Sequence, residues 1–192
     1  ADRAESVASL GAPGTTDALE FSDGKLMLGK YEHMNDINAQ RLLDVLGAEG
    51  LRERVSGCAM VAAVNWTMLA GMDSIWRLLN DEVFAKLDQR IGLFVDLCDP
   101  AKRADEDLAA AFNQLAETQT NADVTLGLNL AEAMHAMRVL GLPVPGDPEA
   151  AIEPMSADIR SALDLTCVVV HPRSGAAATV KDSDCATSAS FQ

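Results

Sequence analysis

Apolar and polar residues follow one another along this chain in two kinds of pattern. Short apolar runs bounded by polar residues predict buried strands, and these cover residues 58–64, 91–95, 122–126, 166–170 and 176–180. Apolar residues at helical spacing predict helices, at residues 36–47, 73–87, 105–119, 130–140 and 156–163. Strands that alternate with helices of this length are typical of parallel sheets with helices on both faces. The predicted fold class is therefore α/β, a three-layer, doubly wound, mainly parallel sheet.

The two ends of the chain do not follow this pattern. Asp23-Gly24 lies between short apolar runs at 18–21 and 25–28, which predicts a hairpin. Residues 1–35 are accordingly interpreted as an extended and hairpin segment, and residues 36–192 as the α/β core. Residues 181–192 are small and polar and predict no packing element, so the core is expected to be incomplete.

The charge balance excludes two classes of partner. The chain carries 29 acidic and 15 basic residues, a formal net charge of −14. Such a chain repels phosphate backbones and anionic lipid, so neither nucleic-acid nor membrane binding is expected. Four widely spaced cysteines show no metal-site spacing, and three of them lie in or beside apolar runs. These three predict reduced core thiols, and hence a cytoplasmic protein.

Polar residues follow four of the predicted strands. Ligands of open parallel sheets bind beyond the carboxyl ends of the strands, which makes candidates of residues 65–67, 96–100, 127–132 and 171–175. Strand ends meet solvent in any α/β protein, so solvated loops and helix caps explain each segment equally well when it is taken alone.

Asn129 and Glu132 form the sharpest pair, at the start of a predicted helix. A helix N-terminus attracts phosphate, and an acidic residue beside bound phosphates fits Mg²⁺, which prefers oxygen ligands and keeps several waters. The same spacing is that of a capping box, which needs no ligand. Spacing alone favours the cap.

Three segments together resemble the ribokinase-like (PfkB) carbohydrate kinases. Gly-Leu-Asn-Leu-Ala-Glu-Ala at 127–133 resembles the N-x-x-E motif of that family. Residues 94–103 resemble its strand that ends in Asp and is followed by a basic residue, and 168–176 resemble the strand and glycine turn beside the nucleotide. The segments occur in the family's order over residues 55–180, and this ordered combination is more specific than any one motif.

The resemblance implies a set of roles around a nucleotide. Asn129 and Glu132 would organise Mg²⁺ and the phosphates, with Glu132 as the metal ligand. Asp96 and Arg103 would lie near the transferred phosphoryl group. Phosphoryl transfer depends on positioning and charge neutralisation more than on covalent chemistry, so these residue types suffice.

Further expectations from the resemblance concern the substrates. His171 and Gly175 would border the nucleotide, and Asn65 would face the sugar or the phosphates. The cofactors implied are Mg²⁺ and ATP, with ADP as an alternative donor, and the acceptor is a sugar or nucleoside. Members of the family pair through a lid sheet, so the hairpin at 18–28 raises the expectation of a homodimer.

One departure from the family bears on activity. Its catalytic base is the Asp of a G-x-G-D motif, and the only Gly-Asp step here, Gly146-Asp147, lies in a proline-rich loop. The family's glycine-rich sugar-binding strands also have no counterpart before residue 10. We therefore expect a ribokinase-like core truncated at both ends, from a sugar or nucleoside kinase, that is inactive alone. The alternatives are a non-catalytic, regulatory nucleotide- or sugar-binding homologue, and an unrelated doubly wound protein with ordinary helix caps.

Overall fold

The computed structural model describes residues 6–183 and, for residues 186–190, the backbone. The predicted hairpin forms and is longer than expected: β1 (Thr15–Phe21) pairs antiparallel with β2 (Gly24–Lys30). Every residue of both strands is exposed. The hairpin therefore forms a separate two-stranded sheet that contributes nothing to the core.

A second sheet of six strands forms the centre of the described structure. Its strands are ordered as they occur along the chain: β3 (Met60–Val64), β4 (Gly92–Asp96), β5 (Asp123–Leu128), β6 (Cys167–Val170), β7 (Gly175–Val180) and β8 (Ala186–Ser190). β3 to β6 pair in parallel, and β7 and β8 are added antiparallel. The predicted mainly parallel α/β sheet is confirmed.

Six α-helices within residues 6–183 connect and cover these strands. They are α1 (Ala39–Leu46), α2 (Ala48–Ser56), α3 (Met72–Leu78), α4 (Asp105–Thr118), α5 (Leu130–Val139) and α6 (Ile152–Leu163). α3 continues into a π-helical turn at Leu79–Val83. None of the described helices has the length and apolarity that a bilayer-spanning helix needs.

Burial alternates along the central strands. Leu93, Val95, Leu126 and Val168 are fully buried, whereas the residues next to them along each strand are mostly half-buried. α5 packs against β5, and α6 against β6 and β7, and neighbouring helices of α3 to α6 also contact each other. One face of the sheet and this helix layer therefore form the core.

Three local predictions were wrong, and one helix was not predicted. The tail contains β8, whose Ala-Thr-Ser-Ala-Ser sequence lacks the apolar signal of a strand. α2 was not predicted, because its sequence is mainly polar and contains Gly50. The helix predicted at 156–163 begins earlier, at Ile152, so Ser156 is buried within α6 and its hydroxyl lies 2.5 Å from Thr179 Oγ1. The strand predicted to be buried at 58–64 is largely exposed, since only Ala63 of β3 is buried and Met60 is 53% exposed.

The cysteine prediction also needs correction. Cys58 and Cys98 are exposed, and Cys167 is half-buried. Cys58 precedes β3 at the sheet edge and Cys98 lies in a loop, so their apolar sequence neighbours do not bury them. Cys185 lies outside the described residues. The argument from core thiols to a cytoplasmic location therefore loses its basis.

Candidate nucleotide site

The parallel strands bring the predicted residues to one edge of the sheet. Asn65 follows β3, Asp96 ends β4, Asn129 follows β5 and His171 follows β6. The backbone N–H of Asn65 donates to the backbone carbonyl of Asp96 at 3.0 Å. In the same way, the His171 amide donates to the Leu128 carbonyl at 2.9 Å. The residues stand in a row along the carboxyl edge because parallel strands all end on the same side.

Asn129 and Glu132 form a complete capping box at the start of α5. Asn129 Oδ1 accepts a hydrogen bond from the backbone N–H of Glu132 at 3.0 Å. In return, Glu132 Oε2 accepts one from the backbone N–H of Asn129 at 2.9 Å. The cap interpretation of this spacing therefore describes the local geometry. Asn129 stays half-exposed, whereas Glu132 is only 6% exposed.

Glu132 also reaches the tip of the neighbouring strand, which a cap alone does not require. Its Oε1 accepts a hydrogen bond from the Asp99 amide at 2.8 Å. Asp99 and Cys98 both have left-handed backbone angles, with φ of 65° and 61°. Such angles are unfavourable for residues with a side chain, least so for Asp. Asp96 Oδ1 accepts from the Cys98 amide at 2.9 Å, so two carboxylates hold this strained turn.

Arg103 lies where the same loop leads into α4. Its guanidinium carbon is 3.9 Å from the centroid of the Trp66 ring. Its Nη1 is 3.4 Å from Asp73 Oδ2, and its Nη2 is 3.5 Å from the Ala70 carbonyl. The side chain is 15% exposed. Arg103 thus lies beside the segment that follows β3, where its partner Trp66 directly follows Asn65.

A cleft of about 470 Å³ opens at the start of α5. It is lined by residues from the helix, from a loop before α6 and from the turn after β6: Asn129, Leu130, Ala131, Glu149, His171, Pro172 and Arg173. Arg173 and His171 are both exposed. The free amides of the first helical turn and the Arg173 guanidinium make this cleft attractive to an anion, with Glu149 as the opposing charge.

The donor set tests whether Mg²⁺ fits. Within residues 6–183 no group of three or more His, Cys, Asp or Glu side chains could enclose a metal ion. Glu132 already accepts two backbone hydrogen bonds, but a carboxylate offers about four acceptor positions. A protein cage for the metal does not fit. Glu132 does not line the cleft, so it would meet a Mg²⁺ held by phosphate oxygens and water only through the acceptor positions that its two hydrogen bonds leave.

Two further atoms at this edge are buried and without a hydrogen-bond partner among the described residues, Asn65 Oδ1 and Thr67 Oγ1. Asn65 also has a left-handed φ of 69°. Gly175 is buried at the start of β7 and does not line the cleft at the start of α5.

Three residues of the candidate site were not predicted from the sequence. Arg173 lies in a strand-end segment that was singled out, and its charge was a usable signal. Asp99 takes part through its backbone amide, so its residue type carries no signal. Asp73 contacts Trp66 and Arg103 across three elements, which no local pattern reveals.

A protein-family comparison matches nearly the whole chain. The matching family is described as prokaryotic ketohexokinase, and the match covers residues 3–190. A ketohexokinase from Haloferax volcanii is 30% identical over 135 residues, which is 70% of this chain and 36% of that protein.

Two solved structures resemble this fold. One is a last common ancestor of ADP-dependent phosphofructokinases from Methanosarcinales, with a TM-score of 0.55 and 16% identity over 88% of this chain and 38% of that one. The other is an adenosine kinase from Anopheles gambiae in complex with P1,P4-di(adenosine-5) tetraphosphate, with a TM-score of 0.55 and 14% identity over 96% of this chain and 50% of that one. At such identities the likeness concerns the ribokinase-like fold. The chain spans between about a third and a half of the length of these proteins.

Proposed function

Because the chain belongs to the prokaryotic ketohexokinase family, we propose that it forms the nucleotide-binding part of a kinase. The reaction is the transfer of a phosphoryl group from a nucleotide to a hydroxyl of a ketohexose. The family supports the sugar as acceptor, and the fold supports a nucleotide donor, since both structural relatives are kinases by name. ATP is the first donor to test, and ADP the second.

The observation that carries this proposal is the cleft at the start of α5. Unpaired amides of a helix N-terminus and the positive end of its dipole favour phosphate groups. Arg173 adds a full charge on one side, and His171 offers ring nitrogens beside it. The cleft is large enough for a di- or triphosphate and open enough for a nucleoside to extend from it. Asn129 and His171 thus bind the nucleotide, and Gly175 supports the turn that follows His171.

The other strand ends receive the acceptor side of the reaction. Arg103 neutralises charge on the transferred phosphoryl group, and Asp96 shapes the loop that carries Arg103. Asn65 faces the sugar, and its place directly after β3 and next to Trp66, on which Arg103 stacks, supports this role. When bound, Mg²⁺ supplies charge neutralisation between the phosphates. Glu132 would hold that ion through one of its waters, with the acceptor positions that its backbone hydrogen bonds leave.

We also propose that these 192 residues bind nucleotide without turning it over. Their sequence has no G-x-G-D segment, so the family's base is not among them. The same observation favours the second candidate function, a nucleotide- or sugar-binding homologue without activity that acts in regulation. The two functions differ in one measurement, the phosphorylation of a ketohexose by the protein that contains this chain.

The exposed hairpin supports the proposal of a homodimer. Leu19, Leu26, Met27 and Leu28 are each about half-exposed, and Phe21 is 61% exposed. Apolar side chains of this number on a sheet that covers no core indicate a surface used for contact with another molecule. The resemblance to kinases that pair through a lid sheet favours a second copy as that molecule.

Isothermal titration calorimetry with ATP and MgCl₂ tests the nucleotide site. The chain is expected to bind ATP, and Arg173→Gln is expected to weaken the affinity by about three- to tenfold through loss of one phosphate contact. Arg138→Gln is the matched control, since Arg138 is exposed in the last turn of the same helix. Absence of binding to both ATP and ADP overturns the proposal, and an equal effect of the two variants assigns the attraction to overall charge instead of to the cleft.

A further inference from the structure

Three side chains next to the site form what we call the Trp66 cluster, made of Trp66, Asp73 and Arg103. Trp66 Nε1 donates to Asp73 Oδ1 at 2.6 Å, and Asp73 Oδ2 lies 3.4 Å from Arg103 Nη1. The Arg103 guanidinium stacks on the Trp66 ring at 3.9 Å. Each member contacts both others. Three elements therefore meet through side chains alone: the segment after β3, the first turn of α3 and the loop before α4.

Two members of the cluster are fixed independently of Arg103. The Trp66 ring is fully buried. The Asp73 carbonyl accepts a hydrogen bond from Gln114 Nε2 at 2.7 Å, which ties the start of α3 to the middle of α4. Trp66 and Asp73 thus provide a rigid surface, with one flat ring and one carboxylate oxygen directed at the third member.

The contacts of Arg103 are of a particular kind. Stacking covers a face of the guanidinium and leaves its N–H groups, which lie in the plane, directed outwards. The contacts to Asp73 and to the Ala70 carbonyl, at 3.4 and 3.5 Å, are longer than the usual 2.7–3.2 Å of a hydrogen bond. The side chain is therefore held mainly by stacking on Trp66 and by the charge of Asp73, and its N–H groups make no short hydrogen bond to the described protein acceptors. An anion can take them without breaking a strong hydrogen bond.

We propose that Trp66 and Asp73 are positioning residues, which set the Arg103 guanidinium for a phosphate group of the substrates. A guanidinium that is already ordered loses less conformational freedom when it binds an anion in bidentate geometry. The inference rests on the proposed function, in which Arg103 contacts phosphate. A merely structural cluster would instead use Arg103 to fasten the loop after β4 to α3.

Tripolyphosphate is the probe, since it contains the phosphate groups and no base that absorbs near tryptophan. Asp73→Asn keeps an oxygen that can accept from Trp66 and removes the charge that faces Arg103. In calorimetry, Arg103→Gln is expected to weaken binding about tenfold and Asp73→Asn by about three- to tenfold. The double variant is expected to bind no more weakly than Arg103→Gln alone, because Asp73 acts through Arg103. Asp158→Asn, on the exposed side of α6, removes the same charge elsewhere and is expected to have no effect.

Fluorescence gives a second readout, which a structural role would not change. Trp66 and Trp76 are the two tryptophans of the chain. Trp76 is fully buried and its Nε1 has no hydrogen-bond partner among the described residues, so Trp76→Phe leaves Trp66 as the one tryptophan emitter and keeps an aromatic ring in the core. In that background, tripolyphosphate is expected to shift the Trp66 emission as Arg103 engages the anion. Adding Asp73→Asn is expected to reduce this shift at saturating probe.

The outcomes separate the two proposals. If the unaltered chain binds neither probe nor nucleotide, or if Arg103→Gln leaves binding unchanged, the role of Arg103 in the proposed function fails and the positioning role fails with it. If Arg103→Gln weakens binding but Asp73→Asn does not, the positioning role alone is overturned. Equal losses from Asp73→Asn with and without Arg103 also overturn it, because Asp73 then acts by another route.

Discussion

Glu132 holds two backbone amides at once, which makes its replacement by glutamine a sharp test of the structure. Glutamine is isosteric with glutamate, but only one of its two terminal groups can accept a hydrogen bond. In Glu132→Gln the amide oxygen can serve Asn129 or Asp99, and the NH₂ group then faces the other backbone N–H. Glu132 is only 6% exposed, so water replaces the lost acceptor poorly.

The magnitude follows from this geometry. A hydrogen bond to a charged acceptor contributes roughly 1.5–3 kcal/mol, and a buried donor left unpaired costs about 1–3 kcal/mol. Since the two contributions overlap, Glu132→Gln is expected to lower the free energy of unfolding by about 2–4 kcal/mol. Loss of a helix cap alone would cost only about 1 kcal/mol. The excess measures the bond to Asp99.

Urea unfolding followed by circular dichroism measures this free energy, with the slope against urea concentration as a check that the same surface unfolds. Glu106→Gln is the matched control, because Glu106 is exposed in the first turn of α4 and contributes mainly through the helix dipole. Its loss should stay below about 1 kcal/mol. A loss below about 1 kcal/mol for Glu132→Gln, equal to that of the control, would refute the bridging role of the carboxylate.

Four other predictions test different parts of the structure. A Cβ on Gly71 would lie 2.3 Å from the Ile37 carbonyl, so Gly71→Ala should destabilise by about 1–3 kcal/mol in urea unfolding. Gly50→Ala, in helix α2 with open space around it, should instead stabilise by about 0.5–1 kcal/mol. The hydrogen bond from Lys181, and next its charge, lower the pKa of Asp164; the stability from this pair is present at neutral pH and is lost as pH falls through the lowered pKa. Lys181→Met should raise the Asp164 pKa towards its ordinary value, as measured by the ¹³C NMR shift of the side-chain carboxyl carbon against pH. An unchanged pKa would contradict the contact. Finally, with a net charge of −14, the urea midpoint should rise between about 0.1 and 1 M NaCl as screening weakens self-repulsion, whereas a fall would point to attractive surface pairs.

The sheet was predictable where burial and sequence agree. Apolar runs such as 91–95 and 166–170 became β4 and β6, since their side chains alternate into a core that only apolar residues fill. β8 could not be predicted in this way, because its small polar residues are held by backbone pairing to β7. The π-helical turn inside the predicted helix 73–87 also leaves no trace in the apolar spacing.

The site was predictable only in part, for a similar reason. The Asn129 and Glu132 spacing predicted the capping box, and the strand ends predicted which residues line the carboxyl edge. The hydrogen bond from the Asp99 backbone N–H to Glu132 depends on two loop residues, Cys98 and Asp99, with a left-handed φ. Neither residue type is specific enough for that conformation to be predicted from the sequence. The stacking of Arg103 on Trp66 joins residues 37 positions apart, 103 − 66, through the fold alone.

The two sheets described above should also form at very different speeds. In the hairpin, Phe21 pairs with Gly24 across a tight turn, so closing it requires only a short, local search that takes microseconds. In the large sheet, Met60 must find Gly92 and Thr125 must find Cys167, with whole helices in between. Pairings between such distant segments slow folding considerably. During refolding, the exposed hairpin of β1 and β2 would therefore form before the parallel strands of the large sheet have paired.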